Sequence, residues 1–254
     1  MATTHQHAFP CAVVGVDIAA GEEHFNRQKF PDLFGPHFAM AQEAKKRLLP
    51  LTLHAGEVPT EEARENIRRA ILEYGACRIG HGYRMAESVE VMNLVRNNNV
   101  HVEVCPTSSV ETGGWVYDEN DESRDWKNHP ATIMLSHGVS LCINSDDPAV
   151  FHTSLSWQYR IALAKMLLSR KDLVQMNLEV VKAAWCSVEE KERLTKLIRC
   201  YGHVQGIEEH EDCQCDTIMH KSHSSWWKSK TDSFLDRVYL RDEDLNYEAV
   251  RQRV

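Results

Sequence analysis

The sequence predicts an α/β fold in which about five parallel strands form part of a (β/α)8 barrel and helices follow the last strand. Short apolar runs alternate with longer segments at helical spacing, which is typical of βα units and a parallel sheet. Reactive polar residues follow three of these runs directly. The length of 254 residues is close to the ~250 residues of a complete barrel. Only five strand candidates are found, however, so the barrel is expected to be partial.

The predicted strands are short and rich in apolar and β-branched residues, as buried parallel strands are. In chain order they are Ala12–Ile18, Leu51–Leu53, Arg78–Ile79, Val100–Cys105 and Val139–Ile143. Helices are predicted between them from capping residues and apolar spacing. The first predicted helix covers Glu61–Tyr74, with Thr60 as its N-cap and Gly75 as its stop. A second begins at Ser88, and a third begins at His129-Pro130 and ends at Gly138.

After Pro148 the pattern becomes purely helical. The predicted helices there are Leu155–Leu168, Leu173–Trp185 and Val188–Tyr201, with no strand between them. We expect these helices to cover the barrel. The predicted organisation is therefore an N-terminal tail at 1–10, a partial barrel with covering helices at 11–202, and a charged extension containing Cys and His at 203–254.

The extension carries two further patterns that a function could use. Its Cys and His residues are His210, Cys213, Cys215, His220 and His223. Their spacing does not match the usual structural zinc sites, so we interpret the segment as flexible and polar. Trp226-Trp227 lies among lysines, and on an acidic chain we interpret it as an insertion whose tryptophans pack on the barrel.

Composition and charge restrict the class of protein. The chain has 29 Lys and Arg against 37 Asp and Glu, a net charge of −8, which argues against a protein that mainly grips phosphate backbones. No run approaches the ~18 consecutive apolar residues of a membrane helix. The eight cysteines lie mostly in apolar segments and are typical of reduced core thiols. These features predict a cytoplasmic globular protein with no nucleic-acid or membrane partner; the oligomeric state stays open.

The residues that follow three of the strands predict a common site. They are His54 and Glu57, His81, and the pair Asp146-Asp147. Parallel strands in a barrel end at one mouth, so these side chains are expected to converge. Two imidazoles and three carboxylates suit a divalent metal together with groups that move protons. Each residue alone also has a structural interpretation, such as a hydrogen-bonded histidine or an Asp-Pro turn; the coincidence favours the site.

Six segments then identify a family. They are Gly15–Glu23, Leu53–Glu57, Arg78–Gly82, Val104–Ser109, Thr112–Trp115 and Asn144–Pro148. In order and spacing the chain resembles the C-terminal part of an adenosine deaminase, a zinc aminohydrolase with a (β/α)8 barrel of the metal-dependent hydrolase type. The resemblance covers about residues 11 to 202.

The resemblance implies a role for each candidate residue. His54 and Asp146 match zinc ligands, and Glu57 matches the residue that protonates the purine N1 while zinc-activated water attacks C6. His81 matches the residue that orients and deprotonates that water. Gly21 and Asp147 match groups that bind the purine. The implied reaction is hydrolytic deamination of adenosine or deoxyadenosine to inosine or deoxyinosine with release of ammonia. The cofactor is Zn²⁺ and the partner is a small-molecule purine nucleoside.

One element of the family pattern is not found. The first strand of the family ends in a His-x-His pair that supplies two further zinc ligands. Here the only such pair is His5-Gln6-His7, which precedes the first predicted strand and is interpreted as tail. We expect the chain to be part of a longer enzyme. The alternatives are a truncated product whose missing half comes from elsewhere, and a catalytically incompetent remnant or binding protein.

Overall fold

The computed structural model describes residues 13–19, 22, 31–60, 62–116, 118, 120–121 and 124–204. Its framework is one sheet of five parallel strands in the order β1-β2-β3-β4-β5. The strands are β1 (Val16–Ile18), β2 (Leu51–Ala55), β3 (Arg78–His81), β4 (His101–Val104) and β5 (Leu141–Ile143). Each of the five predicted runs therefore forms a strand, and the prediction of a parallel α/β sheet is confirmed.

Helices connect successive strands and follow the last one. They are α1 (Pro31–Lys46), α2 (Ala63–Arg69), α3 (Val89–Asn97), α4 (Pro106–Glu111), α5 (Pro130–Ser136), α6 (Leu155–Ala164), α7 (Arg170–Ala183) and α8 (Val188–Val204). A π-helical turn at Ala70–Tyr74 extends α2, and short 3-10 turns lie at Tyr83–Glu87 and Trp126–Asn128. After β5 the described residues contain no further strand, as predicted. The sheet and its helices form a partial α/β barrel.

The two faces of the sheet differ in chemistry because side chains alternate along a strand. One face is apolar: Leu53, Ile79 and Val102 are fully buried and belong to the same core as Ile67 of α2 and Val95 of α3. The helices pack against this face. Burying a large aliphatic side chain completely is worth about 1.5–3 kcal/mol, so this core stabilises the packing of the helices on the sheet.

The other face of the sheet is polar. The Thr52 hydroxyl donates to Glu103 Oε2 over 2.9 Å, and Arg78 Nε donates to Glu103 Oε1 over 2.8 Å. The guanidinium of Arg78 also stacks 4.3 Å from the ring centre of Trp185. Strand register sets these contacts, since Thr52 lies beside Arg78 and Gly80 lies beside Glu103 in the ladder. Charged groups on this face are thus paired beneath the strand ends.

The predicted helix start at Ser88 and the predicted stop at Gly75 are confirmed, and the predicted N-cap at Thr60 is wrong. Ser88 caps α3 by accepting from the Val91 N–H over 3.3 Å. The Gly75 stop is confirmed, with φ of 76°. Thr60 does not cap α2: Glu62 precedes the helix, no side chain caps it, and Thr60 offers only its carbonyl oxygen to Ala63 N at 3.2 Å.

Other differences concern whole elements. Helices α1 and α4 were not predicted, because α1 contains Gly35 and Pro36 and α4 has only six residues. Helices α6, α7 and α8 match the three predicted C-terminal helices with shifted ends. No helix among the described residues is long and apolar enough to span a bilayer. The predicted tail at 1–10 lies outside the described residues. So does the predicted extension at 203–254, except for residues 203 and 204, which end α8.

Candidate active site

A cavity of about 300 Å³ opens at the carboxyl ends of the strands. Its lining combines imidazole, carboxylate, thiol and amide groups. The lining residues are His54, Gly80, His81, Glu103, Cys105, Asn144, Ser145, Asp146 and Leu155. Strands β2 to β5 thus contribute to one cavity from segments about ninety positions apart. The carboxyl end of a parallel sheet is where such folds bind ligands.

His54 lies in β2, and its ring rests on the backbone of β3. A Cβ at Gly80 would come within 3.1 Å of His54 Cγ, so the absence of a side chain there lets the ring lie close. His54 Nδ1 is 3.3 Å from Asp17 Oδ1 in β1. Burial by itself would lower the pKa of His54, but the hydrogen bond and charge of Asp17, with Glu57 and Asp146, raise it. A carboxylate on Nδ1 leaves Nε2 as the nitrogen available to a metal.

His81 ends β3 in a left-handed conformation, with φ of 65°. Its Nδ1 lies 3.1 Å from the Tyr83 hydroxyl, and that hydroxyl donates to the Cys105 carbonyl oxygen over 2.9 Å. Because the hydroxyl proton is used by a carbonyl that can only accept, His81 Nδ1 must be the donor. Nε2 then carries the lone pair. Burial, with the nearby His54, lowers the pKa of His81 to about 4, so the ring is neutral at pH 7.

Glu57 follows β2 and faces the His81 ring. Its Oε2 is 3.7 Å from His81 Nε2, which is longer than a hydrogen bond. Burial raises the pKa of Glu57, and Asp146 adds to the rise, while His54 and a hydrogen bond from Thr112 oppose it. This carboxyl group therefore keeps its proton to a higher pH than an exposed glutamate does.

Asp146 follows β5, also with a left-handed backbone, at φ of 56°. Its Oδ2 is 3.9 Å from His81 Nε2. One ligand atom from each of His81, Cys105 and Asp146 lies within 4.8 Å of the others. Nitrogen, oxygen and sulfur donors are those that zinc prefers. Burial raises the pKa of the Cys105 thiol strongly, which disfavours the thiolate form that a metal requires.

The remaining predicted residues lie apart from this cluster. Asp147 is exposed and outside the cavity lining; its carbonyl oxygen accepts from Val150 and Phe151 in the turn that follows β5. Gly21 lies outside the described residues, as do His5 and His7. The structure thus brings together His54, Glu57, His81 and Asp146, whereas Asp147 is exposed to solvent.

Four residues at the site had no predicted role: Asp17, Glu22, Tyr83 and Glu103. Asp17 lies on β1 beside β2, which carries His54, and Glu103 lies on β4 beside β3, which carries His81. Strand pairing therefore places both carboxylates next to the site. Tyr83 acts through His81, two positions earlier. Alternation along the strands was a signal that could have found Asp17 and Glu103.

Comparison with known proteins gives a consistent match. The family model described as adenosine deaminase matches residues 2–201. The adenosine deaminase of Pseudoalteromonas translucida is 34% identical over 187 residues, which are 74% of this chain and 51% of that protein. The adenosine deaminase of Bos taurus is 30% identical over 191 residues, or 75% of this chain and 48% of that protein. The chain spans about half the length of these curated relatives.

Solved structures agree in fold. An adenine deaminase from Arthrobacter aurescens superposes with a TM-score of 0.64 at 23% identity, over 79% of this chain and 56% of that chain. A zinc-bound amidohydrolase from Burkholderia ambifaria gives 0.65 at 19% identity, over 80% and 53%. The Arabidopsis ADAL protein complexed with IMP gives 0.61 at 22% identity, over 80% and 54%. At these identities the likeness shows the fold alone.

Proposed function

Because the chain belongs to the adenosine deaminase family, we propose that it carries the proton-transfer half of a site for hydrolytic deamination of a 6-aminopurine nucleoside. The products would be ammonia and inosine or deoxyinosine from adenosine or deoxyadenosine. The observation that carries this proposal is the convergence of His54, Glu57, His81 and Asp146 at one mouth of the sheet. Since the chain spans about half of its relatives, turnover by this chain is part of the proposal.

The shifted pKa values suit the two proton movements that deamination requires. Water adds to C6 more readily once N1 of the purine is protonated, so a proton donor must face N1. The raised pKa of Glu57 favours its protonated form for that task. The neutral His81, with its Nε2 lone pair toward Glu57 and Asp146, is suited to accept a proton from the attacking water. The amino group takes up a proton and leaves as ammonia, and the C6 hydroxyl loses a proton to give the C6 carbonyl of the product.

The donors present fit a divalent metal, which we propose is zinc. His54 is oriented by Asp17 in the way that metal-binding histidines are held by carboxylates, and Asp146 supplies an oxygen. A metal held there would supply the Lewis acidity that makes water nucleophilic near neutral pH. We propose His54 and Asp146 as ligands and treat Cys105 as part of the cavity wall, because burial raises the pKa of its thiol. Catalytic zinc ordinarily has at least three protein ligands, so metal stoichiometry is a direct test.

The finer assignments rest on the family pattern and on composition. We propose that Gly21 and Asp147 contact the purine ring, and that residues 11–202 form the catalytic unit. We place the protein in the cytoplasm, where thiols stay reduced. All described cysteines are free thiols, in support of that placement.

The test is ammonia release from adenosine by the purified chain with added zinc, together with elemental analysis of bound metal. Adenine and AMP are compared as substrates, because the structural neighbours include an adenine deaminase and an IMP complex. Glu57→Gln, which cannot donate a carboxyl proton, is expected to lower kcat by about 100-fold or more. The control is Glu65→Gln, on the exposed side of α2, which should retain wild-type kcat.

The outcome separates two classes of protein. One zinc per chain with turnover of adenosine supports the deaminase. Substoichiometric zinc without turnover supports the alternative, a catalytically incompetent binding protein of the same family. Full activity in Glu57→Gln would remove the proton-donor role.

A further inference from the structure

The carboxylate of Glu22 lies directly against the loop that carries Glu57. The Gly56 N–H donates to Oε1 over 2.5 Å, and the N–H groups of Glu57 and Val58 donate to Oε2 over 2.9 and 3.0 Å. Asn66 Nδ2 donates to Oε1 over 3.2 Å. A side chain that is 5% exposed thus accepts four N–H donors, three of them from consecutive peptide groups.

Three successive N–H groups that point at one carboxylate form an anion-binding backbone arrangement. Hydrogen bonds to an ionised acceptor are about twice as strong as neutral ones. Burial raises the pKa of Glu22, and the donors from Val58, Gly56, Asn66 and Glu57 oppose that rise. Glu22 does not line the cavity. Any effect it has on chemistry must therefore pass through the loop.

The same loop is held from the opposite side. The backbone N–H of Arg84 donates to the Gly56 carbonyl oxygen over 3.0 Å. A Cβ at Gly114 would lie 2.8 Å from the Glu57 carbonyl oxygen, so the chain at Gly114 presses against that peptide. Other segments therefore contact both edges of the Gly56–Glu57 backbone, and the Glu57 carboxylate also receives a hydrogen bond from Thr112.

We propose that Glu22 is a positioning residue whose carboxylate fixes the Gly56–Val58 backbone and thereby the position of the Glu57 carboxyl group, 3.7 Å from His81 Nε2. The inference rests on the proposed deaminase function for its catalytic consequence. It assigns to Glu22 no contact with substrate or metal.

The test compares Glu22→Ala, Glu22→Gln and Val95→Ala in the full chain. Val95 is fully buried in α3 and takes no part in the hydrogen bonds between Glu22 and the loop, so its truncation should destabilise the protein while those bonds are kept. We expect Glu22→Ala to lower kcat at least about 10-fold, because general acid catalysis contributes about 10²–10⁴-fold, with KM within about 2-fold. Glu22→Gln keeps one acceptor oxygen and should lie between Glu22→Ala and wild type. Val95→Ala should lower Tm while kcat is retained.

Hydrogen exchange of the substrate-free protein separates this inference from the deaminase proposal. In Glu22→Ala the amides of residues 56–58 should exchange more than about 10-fold faster, since each loses a charge-assisted hydrogen bond. Val95→Ala should leave them slow. If wild type deaminates no aminopurine, the proposed function is wrong and exchange alone decides the positioning role. Unchanged exchange at 56–58, or wild-type kcat in Glu22→Ala, would overturn it.

Discussion

Removal of one hydroxyl group, in Tyr83→Phe, tests whether the hydrogen-bond chain behind His81 sets its tautomer. The hydroxyl lies between His81 Nδ1 at 3.1 Å and the Cys105 carbonyl oxygen at 2.9 Å, in a residue that is 1% exposed. Phenylalanine keeps the ring and its edge contacts with His81 and His129. The substitution therefore removes two hydrogen bonds and little packing.

The expected cost follows from what is left unpaired. A buried donor or acceptor that loses its partner costs about 1–3 kcal/mol, and here both a carbonyl oxygen and a ring N–H are affected. For the two groups together the range is about 2–6 kcal/mol. We expect the free energy of unfolding to fall by about 2 kcal/mol, at the low end of that range, because His81 and Cys105 line the cavity and water can partly reach them. The Nδ1–H tautomer of His81 also loses its fixed acceptor, so kcat should fall roughly 10-fold, equivalent to about 1.4 kcal/mol.

Urea unfolding and nitrogen NMR of the imidazole measure the two effects separately. Tyr159→Phe is the matched control, because the Tyr159 hydroxyl donates to Asn177 Oδ1 over 2.8 Å on the C-terminal helices. That variant should lose stability and keep both kcat and the His81 tautomer. An unchanged tautomer and unchanged unfolding free energy in Tyr83→Phe would refute the reasoning.

Three further outcomes are expected. Asp17→Asn should weaken zinc binding by about 10–100-fold in calorimetric titration, since the partner that orients His54 loses its charge; unaltered affinity would contradict this. Gly80→Ala should also lower metal affinity, because its Cβ would meet His54 Cγ at 3.1 Å, and circular dichroism should show the fold retained. Burial lowers the pKa of His101 and His129 to about 4 and about 3, from 6.5 in the unfolded chain. The unfolded state therefore binds protons first, so stability is complete above pH 6.5 and is lost as pH falls toward 4, by up to about 3 kcal/mol per histidine; a flat urea midpoint from pH 7 to 5 would argue against it.

Local patterns in the sequence were sufficient to predict the strands of the sheet. Strands β2 to β5 are apolar runs bounded by polar residues, so both their existence and the polar groups at their carboxyl ends could be predicted. Parallel order then implied that His54, His81 and Asp146 meet. These predictions needed only alternation and the geometry of parallel strands.

Contacts between distant segments could not be predicted in the same way. Glu22 meets the loop of Glu57 across 35 positions, and nothing in the local spacing of either residue indicates that contact. Helix α1 was missed for a related reason. Its Gly35 and Pro36 argue against a helix locally, whereas its buried Ala41 packs in the common core and stabilises it. For Thr60 the error is the opposite one. Its side chain favours a capping position locally, but the helix begins at Ala63 and Thr60 lies before it.

The backbone at His81 and Asp146 has a consequence for how this protein can change. Both residues adopt left-handed conformations that glycine adopts readily, and the chain does place glycine at the neighbouring Gly82, with φ of 67°. Non-glycine residues pay of order 1 kcal/mol or more for such conformations. Glycine at position 146 would relieve this backbone cost and remove a carboxylate from the site, whereas glycine at position 81 would also leave a void where a buried ring is hydrogen-bonded to Tyr83. Selection for stability alone would therefore favour loss of the Asp146 side chain but retention of the His81 ring, so only at position 146 do stability and reactivity oppose each other.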